Sequence, residues 1–382
     1  MSARSRKVDV KAAVLKWARE SSGWTLEAIA AKLRVSTKQY QEWESTGQGI
    51  PLARLEDLSR HCKRSLATFF LPTPPSEPQK PADFRMLPGK TDKFERKTLF
   101  AIRRAMWLQS VASDLLDSLE LPKLAKIGTA SPEDDPELLS RRARQALGIT
   151  INGQLRWDNE SEALRKWRDT IETLNILVFS QSMPVGDARG FSLSNARPWV
   201  IVVNSSDAIR ARIFTLFHEF AHLLLHSPGV CIPREDYSRV SKLNKIEAWC
   251  NQFAAALLLP RDYLETLMAE RIRTDELPEM LGEISRRCKV SQEVVLRRLA
   301  ELSFIPKARF EEELGTLRSR LIPKKKSGPV SPAVKSVSGR GRQFTRLVLK
   351  GKEKGILTYK DVSDLLSIRL KHLDKVASLV AA

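Results

Sequence analysis

Between residues 25 and 44 apolar side chains recur at helical spacing in two short runs. Ala28, Ile29 and Leu33 share one face, the run breaks at Arg34 and Val35, and Tyr40 and Trp43 resume it. Thr25 and Ser36 stand where the two helices would start, as N-caps. With Leu52, Leu55 and Leu58 to close the core, the pattern predicts a helix-turn-helix. Further on, Leu99, Ile102, Met106, Val111 and Leu115 predict an amphipathic helix that packs between domains, and residues 138–147 predict another. Runs over 176–180, 190–193 and 199–204, punctuated by Gly186, Gly190 and Pro198, predict short strands of a small sheet. That sheet could hold an extended substrate as an added strand, or merely cover its neighbouring helix. Residues 213–226 and 245–259 are apolar around most of a helical circumference, and Pro260 ends the second.

The first of these apolar helices contains His218, Glu219 and His222. Four-residue spacing puts both imidazoles on one side of a helix, close enough to share an ion. Glu219, one residue past the first imidazole, can serve as general base toward water at that ion. The same spacing also fits two half-buried helix histidines with ordinary hydrogen-bond partners. Against that, three groups of this kind in an otherwise apolar helix need a reason to be there. In the second helix Glu247 is the candidate third ligand, and Asn251, one turn on, can orient a ligating histidine from behind. Alternatively Glu247 is a solvated carboxylate in a helix's first turn. His226 continues the four-residue series, but helical rotation places it behind the ligands or at the helix end. Cys250 is either a buried small residue or a thiolate donor.

The two segments around His218 and Glu247, read together, resemble the ImmA/IrrE family of metallo-endopeptidases over roughly residues 160–305. The resemblance implies a gluzincin-like site in which His218, His222 and Glu247 bind Zn2+ and Glu219 is the base, in enzymes that cut repressor or antitoxin-like proteins. Manganese or cobalt would suit the same ligands. Cys250 and Leu259 depart from the family's usual alanine and methionine. Residues 8–70, including Trp43, Glu44, Gly47 and Pro51, resemble the Xre/Cro-type DNA-binding domain. In that case Thr37, Lys38, Gln39 and Gln41 would reach bases or phosphates of an operator. Glu27, Glu42 and Glu44 dilute the positive charge there, and a protein-docking role is the alternative.

Composition sharpens this picture. A formal net charge of +19 favours nucleic acid or another acidic partner. Cys62, Cys231, Cys250 and Cys288 show no Cys-x-x-Cys pairing and read as reduced thiols. No apolar run is long enough to span a membrane and the first residues lack a signal-peptide core, so a cytoplasmic protein is expected. The expected fold is multi-domain and mainly α. A helix-turn-helix domain (1–70) is followed by a proline-rich linker (71–92) and a helical connecting region (93–159). An α+β zincin-like peptidase domain (160–305), a basic flexible linker (306–341) and a small helical C-terminal module (342–382) complete it. A second helix-turn-helix-like pattern over 281–302 would close the catalytic fold. The expected function is a DNA-binding regulator fused to a zinc-dependent endopeptidase that removes a repressor or antitoxin, with a dimer among the options for its assembly. The alternative is a non-proteolytic transcription factor or antitoxin-like binder with a sensory or structural zincin domain.

Overall fold

The computed structural model describes residues 6–76, 94–125, 127–226, 230–231, 242–269, 277–319 and 330–381. The chain divides into two compact units, residues 1–106 and 107–382.

In the first unit, strand β1 (Lys7–Val8) precedes helices α1 (Ala12–Ser21), α2 (Leu26–Leu33) and α3 (Thr37–Thr46), followed by β2 (Ile50–Pro51) and α4 (Leu52–Cys62). Thr25 Oγ1 accepts from Ala28 N and Ser36 Oγ from Gln39 N, each at 3.2 Å, so both caps form as their side chains allow. Between them Arg34 turns left-handed at φ 55°. Ile29, Leu33, Tyr40, Trp43, Leu55 and Leu58 are buried together. Glu44 does not dilute the charge of α3's outer face as its sequence position suggests. It accepts from Arg19 Nε at 2.6 Å and Nη2 at 3.0 Å, a two-point pair that ties α3 to α1. Gly47 ends α3 at φ 72°, where a Cβ would stand 2.1 Å from Val10 O. Arg103, in helix α5 (Arg96–Ser118), donates through Nη2 to Cys62 O at 2.6 Å and so caps α4. The division between units falls within α5.

The second unit continues with α6 (Pro136–Ala146), α7 (Ile151–Leu155) and α8 (Glu160–Glu172). Strands β3 (Leu177–Gln181), β4 (Gly190–Leu193) and β5 (Val200–Asn204) precede helix α9 (Ile209–Leu224), strand β6 (Val230–Cys231) and helix α10 (Lys242–Leu258). The sheet has the order β3-β5-β4-β6, with β3 parallel to β5 and β4 antiparallel to β5 and β6. Helix α9 packs on the sheet, on α8 and on α10. Trp167 of α8 meets Phe217 of α9 edge-on at 4.7 Å. The chain then forms α11 (Arg261–Ala269), α12 (Leu277–Cys288), α13 (Gln292–Glu301) and α14 (Lys307–Ser319).

Helices α6 and α7, expected to connect domains, are part of this core. Arg144 Nη1 donates to Leu257 O at 2.7 Å, Gln154 Nε2 to Leu258 O at 3.1 Å and Arg298 Nε to Leu259 O at 3.2 Å. These three side chains satisfy the carbonyls that α10 leaves open at its end. The helix-turn-helix-like pair α12–α13 is sealed inward, with Val295, Leu296, Arg298 and Leu299 buried.

The basic linker expected over 306–341 is also corrected. Lys307–Ser319 is helical, and Ser331 caps a helix α15 (Pro332–Arg340) that buries Ala333 and Ser336; residues 320–329 lie outside the described residues, as do 77–93 of the proline-rich linker. Pro332 at the first helical turn is a start signal, which the Ser, Pro and Gly content of the segment disguised. Nor is the C-terminal module a separate body. With α16 (Arg342–Glu353), α17 (Tyr359–Leu366) and α18 (Leu373–Ala381), α15 packs against β3, the outer strand of the sheet. Arg168 of α8 donates to Ser338 O at 2.5 Å and to Val178 O at 2.7 Å. Glu172 accepts from Gln343 N at 2.9 Å, a carboxylate at the N-terminus of α16. Gly341 permits this approach, since a Cβ there would lie 1.9 Å from Glu172 Oε1.

Burial raises Glu172 from 4.5 to about 7, against the pull of Arg168 and Gln343 N–H. The folded carboxyl therefore keeps a proton that the unfolded chain has released. Its contribution to stability is fully present below about 4.5 and lost as pH rises through about 7. Glu172→Gln cannot ionise, so wild type is expected to lose denaturant resistance relative to this variant between about pH 5 and pH 8. Urea midpoints that keep the same separation at both pH values would contradict the burial.

Candidate metal centre

Helix α9 is buried from Thr215 to Leu224. His218 and His222 are each 1% exposed and Glu219 is 0%, so bulk water solvates none of them. From α10, Glu247 reaches the two imidazoles, its Oε2 at 3.4 Å from His218 Nε2 and its Oε1 at 3.2 Å from His222 Nε2. The two Nε2 atoms stand 3.1 Å apart. Glu247 keeps 28% of its side chain accessible, so the cluster opens to solvent on that side.

Asn251, one turn on from Glu247, has its Oδ1 at 3.0 Å from His218 Nδ1. An Nδ1–H donating to this carbonyl leaves the Nε2 lone pair of His218 directed at the cluster. His226 does not lie behind the ligands. It ends α9 in the left-handed conformation at φ 50°, with its ring edge-on to Trp199 at 5.2 Å. Cys250 is buried against His222 but outside the three-residue cluster.

Sequence reasoning missed two residues of strand β4. Gly190 lets the helix approach, since a Cβ would meet Thr215 Cγ2 at 2.5 Å and Val202 O at 2.7 Å. Ser192, two residues along and so on the same face, hydrogen-bonds Glu219. The signal was the Gly-x-Ser alternation in a strand that otherwise reads as simple cover.

Burial pushes Glu219 up to about 7, opposed by His222, His218 and Ser192. Burial acts the same way on Glu247, but the adjoining His218 and His222 outweigh it and hold that carboxyl well below its ordinary range. One donor atom from each of His218, His222 and Glu247 lies within 4.8 Å of the others. Around an ion with bonds of about 2.0–2.1 Å in tetrahedral array, donors stand roughly 3.3 Å apart. The nitrogen–nitrogen separation of 3.1 Å and the oxygen separations of 3.2 and 3.4 Å are close to that. Two imidazoles and a carboxylate, converging without any intervening donor, fit a divalent cation.

Residues 171–300 match the family model described as the IrrE N-terminal-like domain, and residues 15–69 match the model described as Helix-turn-helix. The chain carries an IrrE-like peptidase domain behind a helix-turn-helix domain. His218, Glu219, His222, Glu247 and Asn251 all fall inside the IrrE-like domain, whereas α6, α7 and α14–α18 lie outside it. Over 126 residues the chain is 33% identical to the radiation response metalloprotease IrrE of Deinococcus deserti. That stretch is 32% of this chain and 43% of the relative, so the chain spans less than half the length of the curated relative it matches. On the helix-turn-helix domain Lys38, Gln39 and Gln41 are exposed at the start and middle of α3, and Thr37 is half-buried. No helix among the described residues is long and apolar enough to cross a membrane.

Asn251→Ala leaves all three donors in place and removes only the partner of His218 Nδ1. It is expected to weaken metal binding about 10- to 100-fold. Chelator competition against wild type measures this, and equal affinities would remove Asn251 from the site.

Proposed function

We propose that this chain is a cytoplasmic, zinc-dependent endopeptidase joined to a DNA-binding domain, and that its substrate is a repressor or antitoxin-like protein. The observation that carries the reading is the convergence of three donors beside a fully buried carboxylate. His218 Nε2, His222 Nε2 and Glu247 would hold the zinc, a nitrogen and oxygen set that suits this metal. Zinc bound there supplies Lewis acidity toward a scissile carbonyl and toward water.

The protein's own groups do the rest. Asn251 fixes the tautomer of His218, and the apolar walls of α9 and α10 exclude bulk water. Glu219, aligned by Ser192, takes a proton from water as it attacks the peptide carbonyl and delivers it to the leaving nitrogen. Its elevated pKa suits a group that must both accept and release a proton near neutral pH. An extended substrate would add on the β6 side of the sheet, because α15 packs against the opposite outer strand.

A structural zinc site normally has four protein ligands. Among the described residues the cluster has three, which favours turnover over a purely structural role. The helix-turn-helix domain would bring the peptidase to an operator, through Lys38, Gln39, Gln41 and Thr37. The relative named a radiation response metalloprotease supports the peptidase half of this reading.

Glu219→Gln keeps every donor and is expected to retain the metal while losing roughly 10²-fold or more in turnover. The measurement is cleavage of proteins encoded beside this gene, with metal content determined in parallel. Undiminished cleavage by a metal-loaded variant would contradict the assignment.

A further inference from the structure

Cations on several helices of the second unit are laced to carboxylates one turn away. Arg165 faces Asp169, Arg287 faces Glu283, Arg297 faces Glu293 and Arg309 faces Glu312. The C-terminal module breaks this habit. Residues 330–381 contain eleven Lys and Arg against four Asp and Glu. Arg346 and Lys350 of α16 and Lys354 just past its end are exposed at four-residue steps, a row of like charges that repel one another. Arg369, Lys371 and Lys375 are exposed along the turn into α18. Among the described residues Lys350, Lys354, Arg369, Lys371 and Lys375 form no salt bridge with a carboxylate, whereas Arg342 pairs with Asp169 and Arg346 also feels that carboxylate's charge.

The helices that carry both rows are packed into the module. Helix α16 packs on α17 and α18, Arg346 Nε donates to Val380 O at 2.7 Å, and the Arg168 and Glu172 hydrogen bonds fasten the module to β3 and α8. Helix α17 ends at Ser367 in the left-handed conformation, φ 53°, with Ile368 N bonded to Ser363 O at 3.1 Å. Arg34 at φ 55° and Val35 N to Ala30 O at 3.1 Å make the same turn in the N-terminal helix-turn-helix. In α12–α13 the equivalent turn, at Lys289 with φ 59°, leads into a helix sealed in the core. After Ser367 it leads instead to exposed Arg369, Leu370 and Lys371.

We propose that the α16–α18 face is a second nucleic-acid contact, binding the phosphate backbone of duplex DNA without reading its bases. Duplex phosphates form a regular line of negative charge that cations spaced along packed helices complement. A membrane surface fits less well, because α16 spends its apolar face inside the protein. Phe344, Leu347 and Val348 are buried, Phe344 edge-on to Phe179 at 5.4 Å, and cannot enter a bilayer. This binding is independent of the peptidase and of base recognition by α3.

Fluorescence anisotropy with a labelled random-sequence duplex of about 30 base pairs tests this in the full chain, across a salt series. Three proteins are compared: wild type, K350Q/K354Q/K371Q/K375Q and K38A/Q39A, with circular dichroism to confirm folding. The quadruple variant is expected to bind at least about tenfold more weakly at moderate salt, and to reduce the slope of log K against log salt by about 0.9 for each phosphate it no longer neutralises. K38A/Q39A removes contacts assigned to α3 and is expected to weaken duplex binding while keeping a salt-dependent remainder, which adding the quadruple substitution should abolish, and this separates failure here from failure of the α3 reading. Unchanged affinity and slope in the folded quadruple variant would overturn the proposal. So would complete loss of duplex binding in K38A/Q39A, equal binding to polyglutamate, or preference for phosphatidylserine vesicles over the duplex.

Discussion

Everything in the second unit is arranged around the burial of two imidazoles and a carboxylate on one apolar helix. Removing three such groups from water is expensive unless each meets a partner of suitable charge or hydrogen-bonding character. His218 is met by Asn251 and Glu247, His222 by Glu247, and Glu219 by Ser192. These partners come from α10 on one side of α9 and from β4 on the other. The sheet, α9 and α10 must therefore keep their spacing to within a few tenths of an ångström for the donors to converge. Gly190 shows how tight that spacing is, because no side chain fits between β4 and α9.

Much of the remaining structure can be understood as support for α10. Its last carbonyls accept from Arg144, Gln154 and Arg298, residues contributed by α6, α7 and α13. Arg144 and Gln154 lie outside the 171–300 stretch that matches the IrrE-like domain. The helix that supplies Glu247 is thus held at its far end partly by segments that lie outside that stretch. A metal site needs donors fixed in advance, and buried side chains capping a helix end give that rigidity without occupying the open side of the cluster.

The parts of this architecture visible in the sequence are those set by local spacing. His218 and His222 share a face because a helix turns every 3.6 residues, and Thr25 and Ser36 cap because their side chains reach back to nearby N–H groups. Strands β3, β4 and β5 lie close to the limits expected for the same local reason, as short apolar runs between turn residues. What the sequence concealed depends on distant partners. Glu44 looks like a surface charge until Arg19, on another helix, is beside it. Pro332–Arg340 looks like linker because its few apolar residues suffice only with β3 and α16 to pack against. His226 continues a periodic series that the helix itself abandons at Leu225.

Two imidazoles and a carboxylate of the core converge as donors for one divalent cation, with Cys250 left out. X-ray absorption spectroscopy of the zinc-loaded protein tests it most directly. The account predicts nitrogen and oxygen neighbours at about 2.0–2.2 Å, the scattering signature of two histidines, and no sulfur. A sulfur shell at about 2.3 Å would place Cys250 in the coordination sphere and contradict the three-donor site.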